Sequence, residues 1–294
     1  MKVGVFLGDR PPDMGGGYTF QQDIFESLGT LAQQSRHRFV VFGSHRYGEL
    51  YGGKAAFKSL EFVEYKRPGV LQRALGAAQR DLPFLRIAWP TRRALDKAMY
   101  EHGIDIAWFV TPTAMPIDVP YITTVWDLMH LTHPWFPEVA AGKDWISRDL
   151  SFRELLRRAT FVVTGTESGR TEIERFYQVP RERIRLLRHP TPRFALHAPN
   201  GGSVAGRFGI SGKFLLYPAQ FWPHKNHVLL LEVLSYLRQK GTHDFSLVFA
   251  GSDKGNLEFV RSKTAQYGLQ DKVFFLGFVS VEDLIGRASC RERV

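Results

Sequence analysis

Residues 214–239, FLLYPAQFWPHKNHVLLLEVLSYLRQ, carry the pattern that decides the fold. The short apolar run Phe214–Tyr217 predicts a buried strand, and the spacing of apolar residues over Asn226–Arg238 predicts a helix. The residues between them are predicted to form a loop. A strand, a loop and a helix in this order are typical of a parallel sheet with helices packed on its faces.

The same alternation runs along the chain in two series, which predicts an α/β protein with two Rossmann-like, doubly wound domains. The predicted strands are Val3–Leu7, Phe39–Phe42, Phe62–Tyr65, Ile104–Val110, Tyr121–Val125, Phe161–Thr164, Ile184–Leu187, Phe214–Tyr217, Ser246–Ala250 and Val273–Leu276. The predicted helices are Tyr18–Ala32, the region Leu85–Glu101, a helix that ends with Ser151–Arg158, Glu167–Tyr177, Asn226–Arg238 and Leu257–Tyr267. The first of them carries an apolar stripe of Phe20, Ile24, Leu28 and Leu31.

Domain boundaries follow from a change of composition at Ala198–Gly206, a stretch rich in turn-forming residues. We expect an N-terminal domain over 1–197, a linker over 198–207 and a partial second domain over 208–284. The last residues, IGRASCRERV (285–294), interrupt a predicted helix and resemble a translated sequencing adapter; the alternative is an ordinary basic tail. On the first interpretation, the natural sequence stops near Leu284 and the second domain is incomplete.

The composition limits the functional classes. Because the single cysteine is Cys290, no internal disulfide and no cysteine-ligated metal site is expected. The formal net charge of +10 favours anionic partners such as nucleotide diphosphates or anionic lipid, with a merely solvated basic surface as the alternative. No zinc-finger spacing or recognition-helix pattern accompanies the arginines, so nucleic acid is not expected. Without a signal-peptide or spanning segment, we expect a cytoplasmic protein, with peripheral contact at the inner membrane face left open.

Three loops carry candidate binding residues. Gly15-Gly16-Gly17 follows the first strand and leads into the first helix, where a backbone can approach an anion closely; alternatively it is only a tight turn. Lys225 stands before a helix that Asn226 is suited to cap, which predicts a cation beside the helix N–H groups and a diphosphate site. The alternative is a solvated lysine. Gly251 follows the next strand at the sheet edge where such folds bind ligands.

Together these motifs resemble the family-4 glycosyltransferases, from Lys2 to Leu284. The resemblance implies a GT-B fold and transfer of a sugar from a nucleotide-diphosphate sugar, with retention and without a metal or other cofactor. It places Gly15, Gly16, Gly17, Gln220, Lys225 and Gly251 at the donor diphosphate and Gly277 and Phe278 on the nucleobase side. Gln220 stands where the family has an arginine. The family's Glu-x7-Glu segment would lie beyond Leu284, so we expect the chain to be inactive alone.

Thr124-Val-Trp-Asp-Leu-Met-His130 resembles the family's motif beside the acceptor, with Trp126 at the usual histidine position. Asp127 and His130 are therefore candidate catalytic residues, because both follow a strand and can exchange or orient protons near neutral pH. Alternatively, Asp127 caps a turn and His130 packs in the interior. The sequence leaves these interpretations open.

The favoured function is hexosyl transfer in saccharide assembly, from a nucleotide-diphosphate sugar to a saccharide or lipid-linked acceptor. His224-Lys225-Asn226 is a variant associated with mannosyl- and rhamnosyl-type members. A GT-B sugar-nucleotide epimerase and a non-enzymatic polyanion-binding module are the alternatives.

Overall fold

The computed structural model describes residues 1–8, 16–64, 90–112, 117–140, 144–189, 191, 206, 208–241 and 245–279, without the side chains of 90–94 and 144. The chain divides into two compact units. The first contains Met1–Trp135 and Val139–Pro190, and the second contains Phe136–Glu138 and Thr191–Val294. The predicted linker, 198–207, lies outside the described residues apart from Gly206.

The first unit alternates strands and helices. Its strands are β1 (Lys2–Phe6), β2 (Arg38–Gly43), β3 (Leu60–Glu64), β4 (Ile106–Phe109), β5 (Tyr121–Thr124), β6 (Phe161–Thr164) and β7 (Ile184–Leu186). Its helices are α1 (Gly16–Ala32), α2 (His45–Tyr51), α3 (Pro90–Glu101), α4 (Met129–Thr132), α5 (Pro137–Ala140, which straddles the division between the units), α6 (Asp144–Arg158) and α7 (Glu167–Tyr177), with 3-10 turns at Ala55–Phe57 and Arg181–Arg183.

The seven strands form one parallel sheet in the order β3-β2-β1-β4-β5-β6-β7. Gly4 of β1 pairs with Val40 of β2 on one side and with Ala107 of β4 on the other. Successive strand residues face opposite sides of a sheet. Val5 therefore packs in the buried cluster that contains Phe25, on one face, and Phe6 packs in the cluster that contains Phe109, on the other face. Both faces are therefore covered, as continuous apolar runs in the strands require.

The second unit repeats this arrangement on a smaller scale. It contains β8 (Phe214–Tyr217), a 3-10 turn at Pro223–Lys225, α8 (His227–Gln239), β9 (Ser246–Phe249), α9 (Leu257–Gln266) and β10 (Val273–Phe275). The three strands are parallel, in the order β10-β9-β8. Phe249 of β9 packs in one buried cluster with Leu231 of α8 and Val260 of α9. Val248, on the opposite face of the sheet, packs in another cluster with Ile210.

The predicted α/β class and the division into two parallel sheets are confirmed. The first helix differs from its prediction, because it begins at Gly16, so Gly16 and Gly17 belong to its first turn. The predicted stripe on this helix is also partly wrong: Leu31 is 60% exposed and Phe25 is completely buried. Phe20 and Leu28 of the predicted stripe are buried, and Gln21, Phe25, Leu28 and Ala32 face inwards at the spacing of four, three and four residues that one helix face requires.

Candidate functional site

The carboxyl ends of β8, β9 and β10 bring three of the predicted donor-site loops together. The Gly251 N–H donates to the Gly277 carbonyl over 2.8 Å. A Cβ added to Gly251 would lie 2.2 Å from the Ala219 carbonyl oxygen and 2.8 Å from the Gln220 nitrogen. Gly251 thus lies against the backbones of both neighbouring loops. Predicted site residues Gln220, Gly251 and Gly277 form one cluster at this edge of the sheet.

Two of these loops also run side by side. The Phe221 N–H donates to the Ser252 carbonyl over 3.1 Å, and Phe221 and Asp253 form a parallel β-bridge. Asp253 Oδ1 accepts the Gly255 and Leu257 N–H groups, and these hydrogen bonds, the one from Gly255 first, hold the pKa of this carboxyl below its usual value. The Asp253 carboxylate therefore faces the start of α9.

Gln220 is engaged at both ends of its amide. Its Oε1 accepts the Trp222 indole N–H over 3.1 Å, and its Nε2 donates to Ser252 Oγ over 3.1 Å. The side chain thus connects the loop after β8 to the loop after β9. The family resemblance places Gln220 at the diphosphate, and the structure gives its amide these two protein partners.

Lys225 is exposed at the end of the 3-10 turn that precedes α8. Asn226, in the left-handed conformation with φ 48°, accepts the Leu229 N–H through its side chain and so caps α8 as the sequence predicts. The Lys225 N–H donates to the Trp222 carbonyl, and the Tyr217 hydroxyl donates to the Lys225 carbonyl over 2.8 Å. These bonds fix the backbone of Lys225 beside the start of α8, while its ammonium makes no ion pair within the described part of the chain.

His227, which is not among the site residues predicted from the sequence, anchors this turn. Its ring is completely buried and stacks on Phe221 with centroids 4.4 Å apart, and Nε2 lies 3.4 Å from the Ala219 carbonyl. Burial lowers the pKa of His227, and the nearby charge of Lys225 lowers it further. The helical spacing from His227 to Leu231 and Leu234, all buried, is the signal that could have identified it.

The neighbouring His224 also has a fixed partner within the second unit. Its Nδ1 lies 2.5 Å from Glu138 Oε1, and its N–H donates to the same oxygen over 3.1 Å. Glu138 is nearly completely buried. This contact orients the 3-10 turn of which Lys225 is the last residue.

The two remaining donor-side regions have different surroundings. Gly277 has φ +65°, which favours glycine, and Phe278 next to it is exposed, so its ring is accessible to a ligand. In the first unit, Gly15 lies outside the described residues. A Cβ added to Gly16 would meet no described atom within 4 Å, so packing does not require glycine at this position.

Asp127 follows β5 and is about half exposed. Its Oδ1 accepts the Met129 N–H over 3.0 Å and pairs with Arg148 Nη2 at 2.6 Å. Arg148 also donates to the Asp127 carbonyl over 3.0 Å. Asp127 therefore does cap a turn, and it remains accessible at the carboxyl end of a strand.

His130 has no exposed surface. Its ring packs on Trp145 and Phe152, and Nε2 lies 3.0 Å from the Tyr177 hydroxyl. Burial, followed by the charge of Arg148, lowers the pKa of His130 to about 4. This corrects the expectation that His130 exchanges protons near neutral pH, because the imidazole is neutral there and shielded from solvent. The alternative interpretation, interior packing, describes the structure.

One open cavity of about 310 Å³ lies elsewhere in the first unit, where β2 and β3 end. Its polar lining comes from Ser44, His45, Glu49 and Glu64. None of the predicted site residues lines it. Among the described residues, no group of three or more His, Cys, Asp or Glu is arranged to hold a metal ion, and no helix combines the length and apolar composition needed to cross a bilayer.

Residues 208–290 match the family described as Glycosyl transferases group 1. No curated protein sequence matches the chain. The fold is similar to that of Anabaena Alr3699/HepE solved with UDP and glucose, at 14% identity and TM-score 0.61, over 97% of this chain and 71% of that one.

WaaG, a glycosyltransferase involved in lipopolysaccharide biosynthesis, is similar at 18% identity and TM-score 0.58, over 96% of this chain and 72% of that one. The UDP-N-acetylglucosamine 2-epimerase from Rickettsia bellii is similar at 13% identity and TM-score 0.51, over 97% and 71%. At these identities the likeness shows the fold alone. The predicted GT-B-like fold is confirmed.

Proposed function

We propose that this chain is a glycosyltransferase that moves a sugar from a nucleotide-diphosphate sugar to a hydroxyl of a saccharide or lipid-linked acceptor. The observation that carries the proposal is the match of 208–290 to Glycosyl transferases group 1, the segment in which Gly251 joins the loops after β8, β9 and β10. Among solved proteins of similar fold, WaaG is a glycosyltransferase, and Alr3699/HepE was solved in complex with UDP and glucose.

In the proposed reaction, the second unit holds the donor diphosphate. Lys225 supplies a positive charge beside the start of α8, where unpaired N–H groups also favour an anion. As the bond from the anomeric carbon to the diphosphate breaks, negative charge builds up on the leaving oxygen, and a fixed cation stabilises it. Because this stabilisation comes from the chain itself, the reaction is proposed to need neither a metal nor another cofactor.

The acceptor is proposed to contact Asp127 in the first unit. Its carboxylate is half exposed, and the bonds to Arg148 and the Met129 N–H fix its orientation. A carboxylate held in this way can accept a hydrogen bond from an acceptor hydroxyl. Retention at the anomeric carbon, a mannose- or rhamnose-type donor and peripheral contact with an anionic membrane remain parts of the proposal, the last supported by the net charge of +10.

The first test is calorimetric titration of the chain with UDP, GDP and the nucleosides uridine and guanosine. We expect one diphosphate to bind more tightly than its nucleoside. Incubation with the matching nucleotide sugars and saccharide acceptors then tests transfer by this chain, which is expected to be inactive alone, and by a longer version that carries a Glu-x7-Glu segment. The product anomer is read by NMR, and EDTA is the test for a metal. Failure of both diphosphates to bind would contradict the proposal.

An epimerase is the second candidate, because the Rickettsia bellii epimerase has a similar fold. The two candidates differ in what they need. An epimerase converts the nucleotide sugar without an acceptor, whereas a transferase forms a new glycosidic bond only when an acceptor is added. An epimerised donor in the incubation without acceptor would favour the second candidate.

A further inference from the structure

A second lysine lies at the same edge of the smaller sheet as Lys225. Lys254, in the loop after β9, is partly buried, and its ammonium lies 5.9 Å from the centre of the Trp222 ring in the loop after β8. This distance is within the range of about 6 Å over which an aromatic face attracts a cation. The Lys254 side chain is therefore held against the neighbouring loop.

The tryptophan that holds it is itself fixed. Its indole N–H donates to Gln220 Oε1 over 3.1 Å, and the Gln220 amide donates in turn to Ser252 Oγ over 3.1 Å. Ser252 is in the same loop as Lys254, so the chain of contacts closes on itself: Lys254 to Trp222, Trp222 to Gln220, and Gln220 to Ser252. A ring held from both loops gives the ammonium a defined position.

Trp222 also forms a hydrogen bond with the backbone of Lys225. The Lys225 N–H donates to the Trp222 carbonyl over 3.0 Å, so Trp222 contacts one lysine through its ring and the other through its backbone. The acidic residue next to Lys254, Asp253, uses Oδ1 to accept the N–H groups at the start of α9. Trp222 thus contacts the Lys254 ammonium through its ring and the Lys225 backbone through its carbonyl, where two parallel strands end.

We propose that Lys254 is a second cation for the donor diphosphate, acting with Lys225, and that Trp222 and Gln220 are positioning residues for it. The inference rests on the proposed function. A diphosphate carries charge on two phosphoryl groups, and two fixed ammonium groups match it better than one. Stacking on the indole leaves N–H donors of the ammonium available to phosphate oxygens. In this arrangement Gln220 fixes the position of the Trp222 ring and does not itself contact the diphosphate.

The test is titration of the full chain and its variants with UDP and GDP, and with uridine and guanosine as uncharged counterparts. Lys254→Ala should weaken diphosphate binding about tenfold to a hundredfold, as expected for the loss of one charge-assisted hydrogen bond, and should leave nucleoside binding unchanged. Lys254→Arg should restore binding to within a few-fold, since a guanidinium keeps the charge and also stacks on tryptophan.

Lys240→Ala is the matched control. Lys240 lies over the Tyr236 ring at 5.7 Å just after the end of α8, so it is also a lysine stacked on an aromatic ring in the same unit. The Lys240→Ala substitution should leave diphosphate binding unchanged. Trp222→Ala should reproduce the loss seen in Lys254→Ala and should make Lys254→Ala nearly silent in the double variant, because the ammonium has lost its position.

The outcomes separate the inference from the proposed function. If Lys225→Ala weakens diphosphate binding and Lys254→Ala does not, the inference is wrong and the proposed function stands. Equal losses for diphosphate and nucleoside in Lys254→Ala would mean that the substitution disturbs the loops, and would also overturn the inference. If the unaltered chain binds neither UDP nor GDP, the proposed function fails and the inference falls with it.

Discussion

His130 Nε2 and the Tyr177 hydroxyl lie 3.0 Å apart, although 47 positions separate the two residues in the chain. The Tyr177 hydroxyl donates its proton to Asp149 Oδ1 over 3.1 Å, so it can only accept from His130. The neutral imidazole therefore carries its proton on Nε2. Asp149 is itself paired with Arg153 at 2.8 Å, so this polar relay runs from buried His130 to an exposed arginine at the surface of the first unit.

Removal of the hydroxyl in Tyr177→Phe should destabilise the first unit. The change leaves His130 Nε2 without its partner and removes one hydrogen bond from buried Asp149. The expected loss is about 1–3 kcal/mol in the free energy of unfolding, measured in urea. Tyr100→Phe, at an exposed tyrosine of the same unit, is the control and should change it by less than about 0.5 kcal/mol. Equal effects of the two substitutions would contradict the relay.

Stability should fall in mild acid because of His130. Its pKa is about 4 in the folded protein and about 6.5 in the unfolded chain, so only the unfolded chain takes up the proton between these values. The contribution is complete above about pH 6.5 and is lost as the pH falls towards 4. The slope approaches at most about 1.4 kcal/mol per pH unit. Urea unfolding at pH 7 and pH 5 measures this loss in the free energy of unfolding. In the His130→Gln variant, the free energy of unfolding should depend less on pH than in the unaltered chain.

Gly251→Ala should disturb the meeting point of the three loops. The new methyl group would lie 2.2 Å from the Ala219 carbonyl oxygen, and backbone atoms cannot rotate away as a flexible side chain can. We expect a loss of about 1–3 kcal/mol in the free energy of unfolding and weaker diphosphate binding. Gly53→Ala, where no atom lies within 4 Å, is the control. A Gly251→Ala variant as stable as this control would contradict the close approach.

Asn226 combines a positive φ with a helix cap, and two substitutions separate these contributions. Asn226→Gly keeps the left-handed backbone accessible and should cost only a few tenths of a kcal/mol. Asn226→Ala loses the cap and also strains the backbone, so it should cost about 1–3 kcal/mol. Thermal unfolding of the two variants measures the difference. An alanine variant as stable as the glycine variant would rule out backbone strain at this position.

Lys225→Ala tests the diphosphate site directly. The loss of one charge-assisted hydrogen bond should weaken nucleoside-diphosphate binding about tenfold to a hundredfold and should spare the nucleoside. Calorimetric titration measures both ligands, and an unchanged unfolding midpoint shows that the fold is intact. Equal binding by the variant and the unaltered chain would mean that Lys225 is an ordinary surface lysine.

Local patterns predicted most of the secondary structure. Short apolar runs identified the strands, and the helical period identified helices such as Glu167–Tyr177, which the structure reproduces to the residue. Asn226 was recognised as a cap, and Lys225 was placed before the same helix, because both depend on a few neighbouring residues. The helix at His45–Tyr51 and the short helices after β5 were missed, since segments of this length have too few turns to show a period.

The sequence by itself determined the alternation of strands and helices, the two parallel series and the position of Lys225 at the start of a helix. Only the tertiary structure decided which polar side chains have partners. It buried His130 against Tyr177, occupied the amide of Gln220 with Trp222 and Ser252, and placed Lys254 on an indole from another loop. The physical reason is that strand and helix preferences act over a few residues, whereas burial and hydrogen bonding depend on residues that are distant in the chain and meet only when the sheets form.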